Sequence, residues 1–319
     1  MRRTILGLDT SNYRTSLALI AEDKEILLNI RVLLPVPPGK RGLRQNEAVF
    51  VHLKQLSETA EALRQVSGTA VAAVAASTAP RDGADSYMPV FTAGASFGRL
   101  AAAALGVPFI GTTHQRGHLA AAALGTGLDT SEPYLALHLS GGTTDLLEVR
   151  DDSIRQIGGS LDLYAGQLVD RTGVSMGLRF PAGPELEKLA IAGDSRGLLG
   201  CSMENKDLFC HLSGAESQVQ RWIREGNLST NCIAMEVYDL LARTIARMLC
   251  AGTKETGIPS ALVTGGVASS GLFRDMLLHR LSGRREAPHV FFGSPEMSGD
   301  NAVGVALIGL NKIISKKKD

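Results

Sequence analysis

Short apolar runs alternate with longer segments of helical spacing in the first half of the chain. The predicted strands cover residues 4–9, 15–20, 25–34, 70–77 and 107–111. Residues 47–66 and 93–105 have the spacing of helices, the second of them rich in small side chains. Three prolines and two glycines predict a loop over residues 35–42. Strands and helices that alternate in this way predict an α/β domain.

The pattern of the N-terminus starts again near the middle of the chain. Residues 134–139 form an apolar strand, residues 140–145 a polar turn and residues 146–149 a return strand, as residues 4–20 do. The later predicted elements cover residues 165–172, 183–192, 231–256, 260–264, 290–292 and 302–313, with a further helix that ends at Leu281. An internal repeat of this kind predicts a duplicated fold. We therefore predict an N-terminal lobe, residues 1–130, and a C-terminal lobe, residues 131–319.

Composition narrows the class of protein. A chain of 319 residues is long enough for two domains, and 44% hydrophobic with 20% charged residues is typical of a soluble globular protein. A net charge of +1 gives the chain no overall electrostatic attraction to nucleic acid, so any contact with RNA requires a local patch of positive charge. Four cysteines without close pairing, no signal segment and no membrane-length apolar run predict a cytoplasmic protein that does not enter a membrane.

Two histidines, His114 and His118, lie four residues apart directly after the strand at 107–111. On a helix, positions i and i+4 share one face, so the two imidazoles can bind one metal ion. The alternative is two polar histidines at a helix start with no metal. A third histidine, His52, is expected to be an ordinary surface or hydrogen-bonded residue.

Three turns rich in glycine and hydroxyl side chains follow predicted strands, at residues 9–16, 140–145 and 265–270. Glycine allows a backbone to approach a ligand closely, and hydroxyl and N–H groups can hold phosphate. Three such turns in a duplicated α/β chain favour two lobes around a nucleotide cleft. This is the actin/Hsp70/sugar-kinase (ASKHA) architecture.

Seven segments resemble, in the same order, the motifs of the TsaD family, also called Gcp or Kae type. They are residues 7–11 (G-I-E-T-S in the family), 113–118 (H-H-x-E-G-H), 139–146 (V-S-G-G-H-T-x-L), 162–171 (D-D-A-A-G-E-A-F-D-K), 180–184 (Y-P-G-G-P), 264–270 (A-G-G-V-S-A-N) and 299–302 (T-D-N-G). The resemblance covers nearly the whole chain. It implies a transferase that moves threonylcarbamoyl from an adenylate to the adenosine beside the anticodon of tRNA.

The resemblance also implies the site residues. Asp300 would join His114 and His118 in binding one divalent ion, iron or zinc. An adenine nucleotide, or threonylcarbamoyl-adenylate as substrate, would contact Ser140, Gly141, Gly142, Thr143, Gly166, Asp170, Gly183, Gly265, Gly266 and Ser270. The backbone N–H groups at 141–143 would meet the phosphates. Simple helix packing at Gly166 and a surface ion pair at Asp170 remain the alternatives for those two residues.

The chain departs from the family pattern at several positions. Asn12-Tyr13-Arg14 stands where the family has C-D-E, so both acids of that turn are missing. Asp9, although it matches an earlier Glu of the family, is one candidate substitute for them. Asp9 and Arg14 are therefore the predicted catalytic residues, with Arg14 expected to hold an anion through its planar guanidinium. The other replacements are Arg116 for Glu, Thr143 for His, Gln167 for Glu, and Ser270 for Asn, and residues 81–89 interrupt the family's T-A-G-P-G-L.

Three functions follow from this pattern. The first is a threonylcarbamoyl or related carbamoyl transferase. The second is a regulatory paralogue that binds nucleotide and metal but has lost catalysis. The third is a metallopeptidase, which is disfavoured because position 115 is Gln where a His-Glu-x-x-His site has its general base. The resemblance further implies tRNA and either a TsaB-like protein or a second copy of the chain as partners.

Overall fold

The chain forms two compact units, which we describe separately. The computed structural model describes residues 1–36, 43–83, 85–150, 153–194, 197–299 and 301–315. The first unit combines Met1–Ala122 with Gly299–Asp319, and the second is Ala123–Ser298. This division differs from the predicted lobes because the C-terminal helix returns to the first unit. Within the described residues, no helix is both long and apolar enough to span a membrane.

A five-stranded sheet forms the centre of the first unit. Its elements are β1 (Arg2–Thr10), β2 (Arg14–Ala21), β3 (Ile26–Leu33), α1 (Gln45–Ala60), β4 (Thr69–Ala79), α2 (Val90–Leu105), β5 (Phe109–Thr113), α3 (His114–Ala123) and α9 (Val303–Ser315). The strand order is β3-β2-β1-β4-β5. The first two hairpins are antiparallel, and β4 and β5 run parallel to β1. This order sends the ends of β1, β4 and β5 to one edge of the sheet.

Glycines allow the last helix to pack backbone to backbone against the first unit. A Cβ at Gly304 would overlap the carbonyl oxygen of Gly117 in α3, and one at Gly117 would lie 2.9 Å from Val305 Cγ2. A Cβ at Gly7 in β1 would lie 2.5 Å from the Ala302 carbonyl oxygen. The approach is too close for any other residue type, so these glycines fix the start of α9 beside α3 and β1.

The second unit has a seven-stranded sheet. Its elements are β6 (Tyr134–Leu139), β7 (Thr144–Arg150), β8 (Ser153–Ser160), α4 (Ala165–Ser175), α5 (Gly183–Ile191), β9 (Ser202–Glu204), β10 (Phe209–His211), α6 (Ser213–Glu225), α7 (Thr230–Thr256), β11 (Ser260–Thr264), α8 (Gly271–Leu281) and β12 (His289–Phe292). The strand order is β12-β11-β6-β7-β8-β10-β9. Read from β8 to β12, five strands repeat the order and directions of the first sheet. The predicted duplication is therefore present in the topology.

The long helix α7 organises the core of the second unit. Its apolar stripe, including Ile233, Leu240, Leu241 and Ile245, is fully buried. Ser229 caps its N-terminus by accepting a hydrogen bond from the Cys232 N–H group. Because α7 packs against α5 and α8, it fixes the loops that begin those two helices.

The turn after β11 contains two glycines that differ in their structural demands. Gly265 has φ +104°, and a Cβ there would overlap the Leu139 carbonyl oxygen at the end of β6. Gly266 has φ −59° and ψ −40°, and a Cβ there would meet open space. Only the first position therefore requires glycine for the fold.

We predict that Gly265→Ala lowers the free energy of unfolding by about 2 kcal/mol or more, because a strained backbone and a steric overlap are added together. The matched variant Gly266→Ala should change it by less than about 0.5 kcal/mol. Urea unfolding followed by circular dichroism measures both values. Equal stability of the two variants would contradict this account of the turn.

Candidate functional site

The two predicted metal-binding histidines face one another in the first unit. His114 begins α3 directly after β5, and the His118 Nε2 atom lies 3.0 Å from His114 Nε2. The other ring nitrogen of His114, Nδ1, lies 2.9 Å from an Asp9 carboxylate oxygen. Asp9 is 1% exposed and also accepts a hydrogen bond from the Ser77 hydroxyl at the end of β4.

This arrangement fixes the tautomer of neutral His114. A carboxylate only accepts hydrogen bonds, so the Nδ1 atom carries the proton and Nε2 presents its lone pair toward His118. An oriented imidazole backed by a carboxylate is the usual support of a histidine that binds a metal. The donor set therefore fits a divalent ion. The described residues contain no complete group of three ligands, and Asp300 lies outside them.

The turn between β1 and β2 contains one unpaired cation. The Arg14 guanidinium has no hydrogen-bond or ion-pair partner among the described residues, and its Nη1 atom lies 3.3 Å from the Cβ position of Gly299. Asn12 accepts a hydrogen bond from Gln45 Nε2 at 2.8 Å, and Tyr13 is 59% exposed. The turn thus offers a guanidinium and a phenol, while the amide of Asn12 is held by α1.

His52 is buried beside this turn. Its Nε2 atom lies 2.8 Å from the Ser11 carbonyl oxygen, and Nδ1 lies 2.7 Å from the Thr15 hydroxyl. Burial, opposed by the Ser11 hydrogen bond and the Asp9 charge, lowers the pKa of His52. Both ring nitrogens are satisfied, in agreement with the expected structural histidine.

The predicted phosphate turn of the second unit combines open glycines with an internal hydrogen-bond network. Side chains added at Gly141 or Gly142 would meet open space. The N–H groups of Gly142 and Thr143 both donate to the Ser140 hydroxyl at 3.1 Å. Only the Gly141 N–H group has no partner among the described residues, so a phosphate at the other two must compete with Ser140.

Gly166 lies against this turn for a packing reason. Its N–H group donates to the Ser140 carbonyl oxygen at 3.1 Å. A Cβ at Gly166 would lie 2.5 Å from the Gly141 nitrogen. Helix α4 therefore begins in direct backbone contact with the turn, and the packing interpretation of Gly166 is sufficient by itself.

The remaining predicted nucleotide residues meet at the ends of α4, α5 and α8. Asp170 accepts a hydrogen bond from the Ala182 N–H group at 2.8 Å, and the Tyr238 hydroxyl donates to the Gly183 carbonyl oxygen at 3.1 Å. Ser270 caps α8 by accepting from the Phe273 N–H group at 3.1 Å. These side chains order the loops, and one carboxylate oxygen of Asp170 is left for a ligand.

Tyr238 and Glu187 support this cluster, although no sequence motif indicated them. Burial, together with the nearby Glu187 carboxylate, raises the pKa of Tyr238 well above its ordinary value, so the phenol remains a hydrogen-bond donor. Glu187 accepts a hydrogen bond from the Leu272 N–H group at 2.9 Å in the first turn of α8. A carboxylate at a helix N-terminus stabilises the helix.

A cavity of about 760 Å³ opens beside the phosphate turn within the second unit. The residues that line it are Gly141, Gln167, Asp170, Arg171, Val174, Ser175, Phe180, Glu216 and Gln220. Its volume lies in the range of small-molecule sites, about 300–1,000 Å³. Two predicted nucleotide residues, Gly141 and Asp170, are in its wall.

Comparison with known proteins identifies the family. The family model described as TsaD, tRNA N6-adenosine threonylcarbamoyltransferase, matches residues 46–307. The chain belongs to the TsaD family. A protein of that name from Methanopyrus kandleri is 28% identical over 314 residues, which cover 96% of this chain and 86% of the relative. The one from Pyrobaculum calidifontis is 31% identical over 311 residues, with the same coverage.

Solved structures with low sequence identity share the fold. T. kodakarensis HypF matches 99% of this chain and 48% of its own with a TM-score of 0.61 and 14% identity. A ROK family glucokinase from Streptomyces griseus matches 96% of this chain and 98% of its own with a TM-score of 0.54 and 16% identity. Together with the two sheets, these likenesses confirm the predicted duplicated ASKHA fold.

The most unusual replacement in the TsaD pattern, Arg116 for Glu, has a partner. The Arg116 guanidinium binds Asp82 through two hydrogen bonds, at 2.9 and 2.5 Å, and the Thr113 hydroxyl donates to the same carboxylate at 3.1 Å. Asp82 belongs to the residues that interrupt the T-A-G-P-G-L segment of the family. The two departures are thus one coupled change, which ties the loop at 81–83 to the start of α3.

The structure therefore places the predicted residues in two groups, one in each unit. Asp9, Arg14, His114 and His118 belong to the first unit. The ten predicted substrate and nucleotide residues belong to the second. Sequence reasoning missed Ser77, Asp82, Glu187 and Tyr238, because none of them matches a motif of the family. A polar residue at the end of β4, as Ser77 is, was the one available signal for the first of these.

Proposed function

We propose that this chain transfers a threonylcarbamoyl group, or a related carbamoyl group, from an adenylate to an adenosine of tRNA. The observation that carries the proposal is the match to the TsaD model over residues 46–307, which includes the histidine pair and all ten predicted nucleotide residues. The oriented imidazoles, the Arg14 guanidinium, which has no partner among the described residues, and the open glycine turns support it. In the reaction, the exocyclic amine of adenosine attacks the carbamoyl carbon and adenylate leaves.

His114, His118 and Asp300 would bind iron or zinc in this proposal. A bound divalent ion would supply Lewis-acid polarisation of a substrate oxygen. The chain's own contribution is to orient His114: Asp9 holds the Nδ1 proton, and Ser77 holds Asp9. We therefore propose that Asp9 is a positioning residue. Its buried carboxylate is already engaged, and it does not replace the missing acids as a proton acceptor.

We predict that protein purified without added metal contains one equivalent of iron or zinc per chain by elemental analysis. His118→Ala should remove most of it, since one of the proposed ligands is lost. Asp9→Asn should lower the affinity about 10- to 100-fold in a chelator competition, the usual effect of losing such a partner. His279→Gln, at an exposed histidine of the second unit, serves as the control. Unchanged metal content in His118→Ala would refute the assignment.

The adenine nucleotide is proposed to bind in the second unit, with its phosphates at Gly141–Thr143 and its adenosine at Gly265 and Gly266. Gly266 is open and unstrained, so a side chain there blocks ligand without harming the fold. One oxygen of Asp170 can accept hydrogen bonds from ribose hydroxyls. Gly183 and Ser270 contribute through the loops that Tyr238 and α8 hold in place.

We predict that AMP or a non-hydrolysable ATP analogue raises the melting temperature, because ligand binding to the folded state stabilises it. Gly266→Val should abolish the shift while the ligand-free melting temperature stays close to that of the wild type. Gly200→Val, at another glycine of this unit with open space around it, should retain the shift. A normal shift in Gly266→Val would argue against the pocket.

A second candidate function, a binding paralogue without catalysis, is favoured by one specific observation. Residues 12–14 contain no carboxylate that could accept a proton from the attacking amine. Asn12 accepts a hydrogen bond from Gln45, and Arg14, without a partner in the described part of the chain, can hold an anion such as a substrate carboxylate or phosphate. These features favour tight binding over rapid turnover.

We predict weak threonylcarbamoyl transfer to tRNA by the wild type, measured by nucleoside analysis in vitro and in a strain depleted of its own TsaD. The double substitution Tyr13→Asp with Arg14→Glu should increase transfer, because it restores both acids at positions where no described contact is lost. Arg285→Glu is the charge control. Wild-type transfer at the rate of a TsaD relative would show that the acids are dispensable, and inactivity of both proteins would favour the paralogue.

A partner protein remains a prediction. Helices α1 and α2 expose large apolar side chains, among them Phe50 (71%) and Leu100 (72%). Contiguous exposed apolar patches are typical of protein interfaces, and the two helices that carry these side chains pack against each other. They support the proposal that a TsaB-like protein or a second copy of the chain binds the first unit.

A further inference from the structure

The outer part of the cavity in the second unit belongs to none of the predicted nucleotide contacts. It is a groove between exposed positions of α4 and α6. The residues of this groove are Arg171, Val174, Ser175, Phe180, Glu216 and Gln220. The groove begins at Gly141, where the phosphates of the adenylate are proposed to bind.

An exposed aromatic side chain lines this groove. Phe180 is 75% exposed, and Val174 on the neighbouring turn of α4 is 49% exposed. Leaving apolar surface in contact with water costs about 25 cal/mol per Å². An exposed phenyl ring next to a cavity, with an aliphatic side chain beside it, provides a flat surface on which a nucleobase can stack.

The charged groups around Phe180 match a nucleotide better than a peptide. Arg171 lines the cavity, and Arg179 directly precedes Phe180 in the chain. Neither has a hydrogen-bond or ion-pair partner among the described residues, so both guanidinium groups are available to phosphates. Glu216 and Asp170 lie in the same wall, and they would repel an acidic peptide. A nucleotide can interact with side chains of both charges, because its phosphates bind guanidinium groups and its exocyclic amine donates a hydrogen bond to a carboxylate.

We propose that the groove between α4 and α6 binds an unpaired nucleotide of the RNA acceptor, with its base stacked on Phe180 and its phosphates at Arg171 and Arg179. This inference rests on the proposed function and specifies where its acceptor binds. The amide side chains of Gln167 and Gln220 and the carboxylate of Glu216 then face the edge of the base. Because the groove opens at Gly141, the acceptor amine would lie next to the adenylate that carries the transferred group.

Arg171 in the wall of the groove provides a local cation in a chain whose net charge is only +1. Single-stranded nucleic acids bind through stacking on aromatic side chains combined with cations along the backbone. Both elements are present here within one compact unit and within a few residues of each other in α4 and the loop that follows it.

The test is fluorescence anisotropy of a labelled, single-stranded anticodon-loop RNA with the full-length chain at fixed salt. Phe180→Ala should weaken binding about 5- to 150-fold, the range for one lost stacking partner. Phe180→Tyr should retain binding, and Ile191→Ala, another exposed apolar residue of this unit, should match the wild type. The double variant Arg171→Ala with Arg179→Ala should reduce the slope of log affinity against log salt by about 0.7 for each lost phosphate contact.

A second measurement tests whether the groove is separate from the proposed adenylate site. Phe180→Ala should keep the melting shift given by AMP, while Gly266→Val should lose that shift and still bind RNA. Loss of both properties in Phe180→Ala would place the groove in the adenylate site and overturn the proposal. Wild-type RNA affinity in Phe180→Ala would overturn it as well, and so would Phe180-dependent binding of an oligoglutamate peptide without RNA binding. RNA binding that depends on Phe180 in a protein without transferase activity would support the groove and reject the proposed reaction.

Discussion

The backbone contact between α3 and α9 is the constraint on which the first unit depends. A side chain at Gly304 would overlap the Gly117 carbonyl oxygen, so the two helices can meet only where both lack a Cβ. Gly117 lies between Arg116 and His118, so the position that admits α9 is on the same turn as the histidine pair. The segment before α9 is consequently anchored near this pair: Asn301 caps the helix through the Val303 N–H group, and Arg14 borders Gly299. The same contact between α3 and α9 therefore determines both the packing of the first unit and the surroundings of the candidate metal site.

The second unit also has glycines at close backbone contacts around its turns. Gly265 admits the Leu139 carbonyl oxygen, and Gly166 admits the turn at Ser140 and Gly141. Gly141, Gly142 and Gly266, in contrast, border open space. Glycines of the first kind hold strands and helices together, and those of the second kind leave room for a ligand. The two kinds of glycine can be distinguished only from the structure, because the sequence motifs contain both kinds next to each other.

The strongest apolar patterns predicted the fold, and the weaker ones did not. Strands 134–139 and 260–264 were predicted with the bounds that β6 and β11 have, since both are short apolar runs with clear turns after them. Strand β8 was missed because its sequence, SIRQIGGS, is polar at the start and glycine-rich at the end. Helix α6 was missed because only a narrow stripe, such as Ala215 and Val219, is buried on a largely polar helix. The site residues given by motifs were found, but partners such as Ser77 and Glu187 depend on tertiary contacts that no spacing reveals.

The departures from the TsaD pattern occur in both units, and two of those in the first unit have hydrogen-bond partners there. Arg116 has its charge partner in Asp82, on the loop that is itself altered, and Asn12 has its partner in Gln45 on α1. Isolated loss of function would leave such groups unpaired, and an unpaired buried charge or amide is costly. Both replacements have such partners within the first unit. In the second unit, the glycines that border open space leave room for the proposed nucleotide. In the first unit, Tyr13 and Arg14 stand where the family pattern has two acids. A guanidinium attracts anionic groups, and for this reason anion recognition is the role that we propose for Arg14.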